Sequence, residues 1–400
     1  MAKVWNQILK EESEHQWLAI AGFFVFVILG AILIKGTDFI PGIDIVDNSI
    51  DENGIILDAS YISDDESYSL LLSDGQKELI WNNNGILQAV TDSQSNFNSD
   101  DIDFLTHLSN DTILVSQGEN GLVLVSSGIT SPFQTNYGVD QFSIIDISEG
   151  IRDDSGNFMM VTNENGSSTG IRGLNQTGIT SSNIPTTDNV QWKQIISLGD
   201  NKWLASGIYF TPTSSGSESP ATPTIKPVYA TIIWNGGFTA PMVNDLYIGS
   251  IGEYHTMISF SHEEVIIAGT HETILMNHVD GETQVIDYAS VAAIRDDCKS
   301  AWLFNGKDSK SVLRFKDSEH ELMKLPHSLP LDLNSAGFDG ETIYLHGIDE
   351  SGDSRVMTFD TTAVGSIESG RGFINFSFIV ISIIILAVMA VNIYDRFQEN

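Results

Sequence analysis

The sequence predicts an all-β fold: a seven-bladed β-propeller ectodomain flanked by N- and C-terminal transmembrane helices. Three observations carry that reading. Short apolar or alternating runs are separated by Gly, Asn, Asp and Ser, the rhythm of strands and tight turns. The runs fall into seven units of about four strands each. Two uncharged apolar segments bracket them.

Composition sets the outer bounds. The 400 residues carry 53 Asp and Glu against 19 Lys and Arg, a formal net charge of −34. Such a chain lacks the clustered cations that phosphate contacts require, so no nucleic-acid partner is expected. Its 42% hydrophobic content is too high for a disordered acidic tail. A single Cys, Cys298, excludes a disulfide framework and Cys-based zinc modules.

Taken in order, residues 1–16 form a leader expected in the cytoplasm. Its Val4, Trp5, Ile8 and Leu9 make a short apolar stripe at helical spacing. Residues 17–34 run 18 residues without a charge, and residues 373–393 run 21. About 20 apolar residues cross a bilayer core, so both are expected to span it. The first has no small-residue cleavage site after its apolar run, and Glu11, Glu12 and Glu14 precede it, which argues against a cleaved signal peptide. Residues 394–400 form a second cytoplasmic tail. Two spans place residues 36–372 on the far side of a cell membrane, and Asn-x-Ser/Thr sites at Asn110, Asn165 and Asn175 fit an outside location. Gly22, Gly30, Ala387 and Ala390 could permit close helix approach, but no GxxxG spacing is present, and lipid-facing composition is the plainer reading.

The propeller is expected within residues 42–367. First strands centre on Leu57, Phe104, Ile144, Trp192, Met257, Ala292 and Leu333, at spacings of 47, 40, 48, 65, 35 and 41 residues. Each is followed by a hairpin, as in SYSLLLSDGQKELIW, DTILVSQGENGLVLV and EEVIIAGTHETILM. Four-strand units of about 40–50 residues are the beat of propeller blades. Leu71, Ile80, Val115, Leu124, Met160, Ile233, Ile266, Leu275, Leu303, Leu313, Tyr344 and Met357 are expected to fill the layers between blades. Gly42 to Asp47 reads GIDIVD, an orphan alternating strand that would close the ring as the outer strand of the last blade; Thr362 to Ile367 is the alternative. The long spacing holds an insertion, residues 211–227, with four of the ten prolines, expected to be flexible or extended.

Two hairpins, GENGLVLVSS (Gly118 to Ser127) and AGTHETILM (Ala268 to Met276), resemble the GxxGxIxxS pattern of BNR-type propellers, including those of photosystem assembly-factor type. The resemblance covers the repeat region and implies the propeller fold. Asp154, Gly156 and Phe158 make a fragment of an Asp box, with Arg152 where Ser belongs. The GH and WD pairs of WD repeats and the Trp-rich docking motifs of quinoprotein propellers are absent, so no cofactor is expected.

Candidate chemistry is sparse. His255, His262, His271 and His278 fall within 24 residues and invite a metal reading. Strand geometry splits them, since His255 and His271 belong to one rim of a blade and His262 and His278 to the other. Acidic turns such as Asp51 to Gly54, Asp64 to Glu66, Asp100-Asp101, Asp153-Asp154, Asp296-Asp297 and Asp349 to Asp353 could hold Ca²⁺, but none has calcium-loop spacing. A sialidase-like site needs three Arg on the inner-strand rim, and only Arg152 and Arg295 follow inner strands. The expected work is therefore binding or scaffolding of a protein or glycan. The alternatives are a hydrolase of glycans or phosphoesters using carboxylates at the channel mouth, and an assembly factor of a membrane complex.

Overall fold

The structure is a computed structural model. It describes residues 21–32, 43–46, 54–63, 66–91, 97–109, 112–133, 142–148, 157–164, 168–175, 178, 180–184, 189–211, 224–296, 299–317, 319–325, 327–339, 342–361 and 376–387. Two compact units result. One, residues 43–322 with 327–359, is a seven-bladed β-propeller.

Blade one is Gly54–Ser63, Glu66–Ser73, Gln76–Asn83 and Ile86–Ala89, each strand pairing antiparallel with the next. Blades two, four, five and six repeat that order, with first strands Leu105–Ser109, Val190–Gly199, Tyr254–Ser259 and Ala292–Arg295. Blade seven begins at Asp332–Asp339, and its fourth strand comes from the other end of the sequence. Ile43–Val46 pairs antiparallel with Ser354–Asp360, Ile45 opposite Met357. The expected closing strand is thus the one used; residues 362–367 lie outside the described residues.

Blade three corrects the four-strand expectation. Among the described residues its sheet holds only Phe142–Ile147, Asn157–Glu164 and Ser168–Asn175. The position of a fourth strand is taken by an irregular run joined through one bridge, Leu174 to Thr180. Backbone bonds from Ser181 to Gly173 and from Ile184 to Ile171 hold that run on the edge. The insertion in blade four is also shorter than expected. The third strand starts at Ile225, so Ile225, Lys226 and Pro227 belong to the sheet. Residues 212–223 lie outside the described residues, between Thr211 and Thr224, whose backbones pair at 3.2 Å.

Period two explains how the blades stack. In Glu264–Gly269, Val265 and Ile267 join the core shared with blade four, while Ile266 and Ala268 join the core shared with blade six. In Asn157–Glu164, Met159 and Val161 face blade four and Phe158 and Met160 face blade two. Middle strands are therefore apolar on both faces, as continuous runs predict. Blades six and seven meet through Trp302 and Phe304 against Phe359. Of the residues expected in these layers, Leu71, Val115, Met160, Ile266, Leu275, Leu303, Leu313 and Met357 are buried; Ile80, Leu124, Ile233 and Tyr344 are half-buried.

The other unit contains residues 21–32 and 376–387, both helical. Among the described residues no helix is long and apolar enough to cross a membrane. The two helices touch: Phe26 stacks on Phe378 with centroids 5.2 Å apart. One turn on, Gly30 is buried, and a Cβ there would stand 1.9 Å from the Phe378 ring. Gly30 thus serves helix approach, whereas Gly22 has nothing near it. Residues 1–16, 394–400 and Ala390 lie outside the described residues.

Three second strands carry a Gly opposite an irregularity of the first strand: Gly207 opposite Trp192, Gly269 opposite Tyr254 and Gly347 opposite Leu333. A Cβ at these positions would stand 2.2, 2.2 and 2.4 Å from the carbonyl oxygens of Gln191, Glu253 and Asp332. Backbone cannot yield there as a side-chain tip can. We expect Gly269→Ala to destabilise the propeller by about 1–3 kcal/mol, as overpacking does. Gly306→Ala, with nothing within 4 Å, should be near neutral. Thermal denaturation of the two variants checks this.

Candidate functional site

The first strands of all seven blades line one central cavity of about 430 Å³. Its wall mixes Ser60, Tyr61, Thr106, His107, Asp146, Gln194 and Thr256 with aliphatic Leu105, Ile147, Ile195, Met257 and Ile294. Bulges aim this wall. The register slips at Leu57, Ile145, Lys193, His255 and Asn334 in blades one, three, four, five and seven, and again at Ile62, Leu108 and Leu198 nearer the strand ends of blades one, two and four. A bulge re-aims the next side chain, and here it turns polar groups toward the neighbouring blade.

Those groups staple the ring. Asp58 Oδ2 accepts the Leu105 N–H at 3.1 Å, and Asp146 Oδ2 accepts the Ile195 N–H at 2.8 Å. Gln194 Nε2 donates to the His255 carbonyl at 2.7 Å. Beside it Lys193 pairs with Glu253. Asn334 Nδ2 donates to the Ile56 carbonyl at 3.3 Å, across the junction of the last blade with the first. Sequence reasoning missed these residues, although ILDAS at 56–60 and IIDIS at 144–148 repeat the signal.

Between blades seven and one, Tyr61 lies flat on Tyr344, centroids 5.0 Å apart, and its hydroxyl shares a 2.8 Å hydrogen bond with His346 Nε2. Gly337 makes the slot, since a Cβ there would meet the Tyr61 ring at 1.9 Å. His346 is 1% exposed, and its Nδ1 has no hydrogen-bond partner. Burial pushes its pKa down to about 4, so the imidazole is neutral near pH 7. Burial pushes Asp58 up to about 6, partly offset by the Leu105 and Ala59 amides that it accepts.

The sequence-predicted candidates fare as follows. His255 and His271 flank Thr270 at one end of the blade-five hairpin, where His255 Nε2 lies 3.2 Å from Thr270 Oγ1. At the other end His278 Nε2 bonds the His262 carbonyl at 3.0 Å. The four do not converge. Among the described residues no group of three or more His, Cys, Asp or Glu is placed to hold a metal ion. The Asp349 to Asp353 turn is held by its own chain: Asp349 Oδ1 accepts the Ser351 and Asp353 amides, and Arg355 Nε donates to Oδ2 at 3.2 Å. These bonds draw the Asp349 pKa below the usual carboxylate range. Asp296 accepts Ser300 N–H and Trp302 Nε1–H. Arg172, Arg314 and Arg355 each pair with a carboxylate of their own blade, Glu164, Glu321 and Asp349, and so form no trio. Asn175 ends the third strand of blade three, half-buried. Asn110, Asn165, Arg152, Asp154 and Cys298 lie outside the described residues.

No family model and no curated protein matches the chain. Solved structures do. A puromycin-hydrolysing peptidase of Mycobacterium tuberculosis aligns with TM-score 0.53 and 10% identity over 80% of this chain. The chain spans about half of that protein, 54% of its length. A chain of the mitotic checkpoint complex aligns with TM-score 0.53 and 9% identity, over 81% of this chain and 93% of that one. YCF48 from Cyanidioschyzon merolae aligns at 0.48 and 11%, over 80% and 98%. At such identities the first two establish the fold alone.

Asp58 and His346 have opposite linkage. The Asp58 pKa is raised on folding, so its contribution is present below pH 4 and lost as pH rises through 6. The His346 pKa is lowered, so its contribution is present above 6.5 and lost as pH falls through 4. Each shift is worth about 3 kcal/mol, and the two act in opposite senses. Relative to wild type, His346→Gln should gain stability on acidification from pH 6.5 to 4, and Asp58→Asn should lose it. Urea unfolding across that range reads both slopes.

Proposed function

We propose that the chain is a binding module, anchored in a cell membrane, whose propeller engages a protein or glycan outside it through its loops and central mouth. The observation that carries the binding reading is the state of the cavity's acid. Asp146 is the single carboxylate among the described lining residues, and it accepts the Ile195 amide. Glycoside hydrolysis needs two carboxylates about 5–10 Å apart across the scissile bond. Asp58, the first-strand acid whose pKa is raised, owes its shift to burial and not to a second carboxylate. The wall that remains, hydroxyls and an amide among aliphatic side chains, suits recognition of a polar chain with apolar patches.

Two features support the anchoring. Phe24, Val25, Ile28, Leu29 and Ile32 stand exposed on one helix, and Phe376, Ile379, Ile383, Ile384 and Leu386 on the other. Apolar side chains turned outward over a whole helix call for a nonaqueous neighbour. The uncharged stretches also extend beyond the described helices, to 17–34 and 373–393.

The binding reading is tested by co-purification from gently solubilised membranes. Thr256→Trp, which fills the cavity, should lose the bound partner and keep the wild-type melting temperature. Asp146→Ala should keep the partner but lose about 1–3 kcal/mol of stability with its staple. A catalytic turnover abolished by Asp146→Asn would overturn the reading in favour of a hydrolase. Alkaline extraction of cell membranes tests the anchoring: the full chain should stay in the pellet, and release into the supernatant would refute it.

A further inference from the structure

The outer strands of a propeller are open sheet edges, and natural edges are blunted by shortness, charge, proline or cover. Most outer strands here obey. Ile43–Val46, Ile86–Ala89 and Thr283–Ile286 are four residues long. Ile129–Pro132 ends in proline, and its Thr130 amide is covered by the Thr91 carbonyl. Glu319–Lys324 carries Glu319, Glu321 and Lys324. The outer strand of blade four breaks the rule. Met242–Ile248 has seven residues, no Pro, a single charged residue in Asp245, and exposed Met242 (63%), Leu246 (43%), Tyr247 (41%) and Ile248 (38%). Exposed Phe238 and Ile251 flank it.

Register shows which backbone groups are open. Gly249 N–H donates to the Pro227 carbonyl, so that pair is hydrogen-bonded. Alternation makes Tyr247 with Tyr229 and Asp245 with Thr231 bonded pairs too, and aims the N–H and C=O of Leu246 and Ile248 away from the sheet. The two faces of the edge differ. Tyr247 stacks on Tyr229 with centroids 4.8 Å apart, on the side of a groove of about 460 Å³ against blade five. Asp245 and Lys202 line that groove from blade four and Asp280 from blade five, so its carboxylates outnumber its one lysine. Leu246 and Ile248 alternate to the other face.

We propose that this edge takes an extended segment of a partner protein as a fifth strand, with cationic and apolar residues alternating along it. Period two then sends the Lys or Arg side chains over Asp245 and Asp280 and the apolar ones over Leu246 and Ile248. A second copy of this chain does not fit. It would bring a further Asp245 to a groove where Asp245 and Asp280 already outnumber Lys202, between molecules of charge −34. The edge is a different surface from the central cavity.

The test uses the full chain in detergent micelles and a fluorescent peptide alternating Lys and Val. Controls are an alternating Glu and Val peptide and a Lys and Val peptide of the same composition in two blocks. The alternating cationic peptide should bind, weaken with salt, and slow hydrogen exchange at the Leu246 and Ile248 amides. Ile248→Pro removes an outward donor and leaves the pairing with Ile225–Ile233 intact, so it should weaken binding about tenfold or more. Asp245→Asn with Asp280→Asn should weaken binding and flatten its salt dependence. Thr256→Trp should bind as wild type does, which separates this edge from the cavity. Equal binding of the block peptide, unchanged exchange at the two amides, an unaffected Ile248→Pro variant, or amides already protected in a dimer of the chain would each overturn the proposal.

Discussion

A blade whose middle strands are apolar on both faces cannot stand alone, and the rest of this structure follows from that constraint. Leu114 faces blade three while Ile113 and Val115 face blade one. Neither face can be left to water, so every blade needs two neighbours. The ring must therefore close, and Ile43–Val46 closes it by pairing with Ser354–Asp360. Closure through the two ends of the propeller sequence makes the stack cooperative, because no terminal blade is left with an open apolar face.

Close approach of the first strands at the centre sets the next requirement. Seven backbones converge there, and the groups facing the neighbouring blade must be satisfied without water. The bulges answer it by turning Asp58, Asp146, Gln194 and Asn334 across the junctions. This spends on architecture the carboxylates that a catalytic channel would need. In blades four, five and seven Gly207, Gly269 and Gly347 belong to the same device, since there the first-strand carbonyl comes so close to the second strand that only glycine leaves room. What the channel keeps is a fixed wall of hydroxyl, amide and aliphatic groups. Such a wall can discriminate a ligand by shape and by its hydrogen-bond pattern, with little rearrangement on binding.

The blades were legible because burial on both faces writes continuous apolar runs such as EVIIAG and SYSLLL, and hairpins write Gly, Asn and Asp between them. The closing strand was legible as an alternating run without a neighbour in sequence. Blade three was misjudged because its edge is made by single backbone bonds from Ser181 and Ile184, which need no strand pattern. The staples went unread for a different reason. Asp58 and Asp146 look like ordinary strand acids until the bulges before them show that both point at the next blade. The slot of Tyr61, Gly337 and His346 joins residues up to 285 positions apart, and no local spacing announces it.

Charge ties the exposed edge to the rest. An open strand of seven residues with four exposed apolar side chains is a hazard in most proteins, because copies pair edge to edge. Here each copy carries −34, so the approach of like molecules is opposed at long range before any backbone bond can form. The protection is selective by sign. It leaves the same edge accessible to a cationic segment, which the field draws in and which Asp245 and Asp280 hold in register. An acidic surface of this strength therefore does two jobs at one edge: it keeps the strand from pairing with itself, and it sets the charge of what can pair with it.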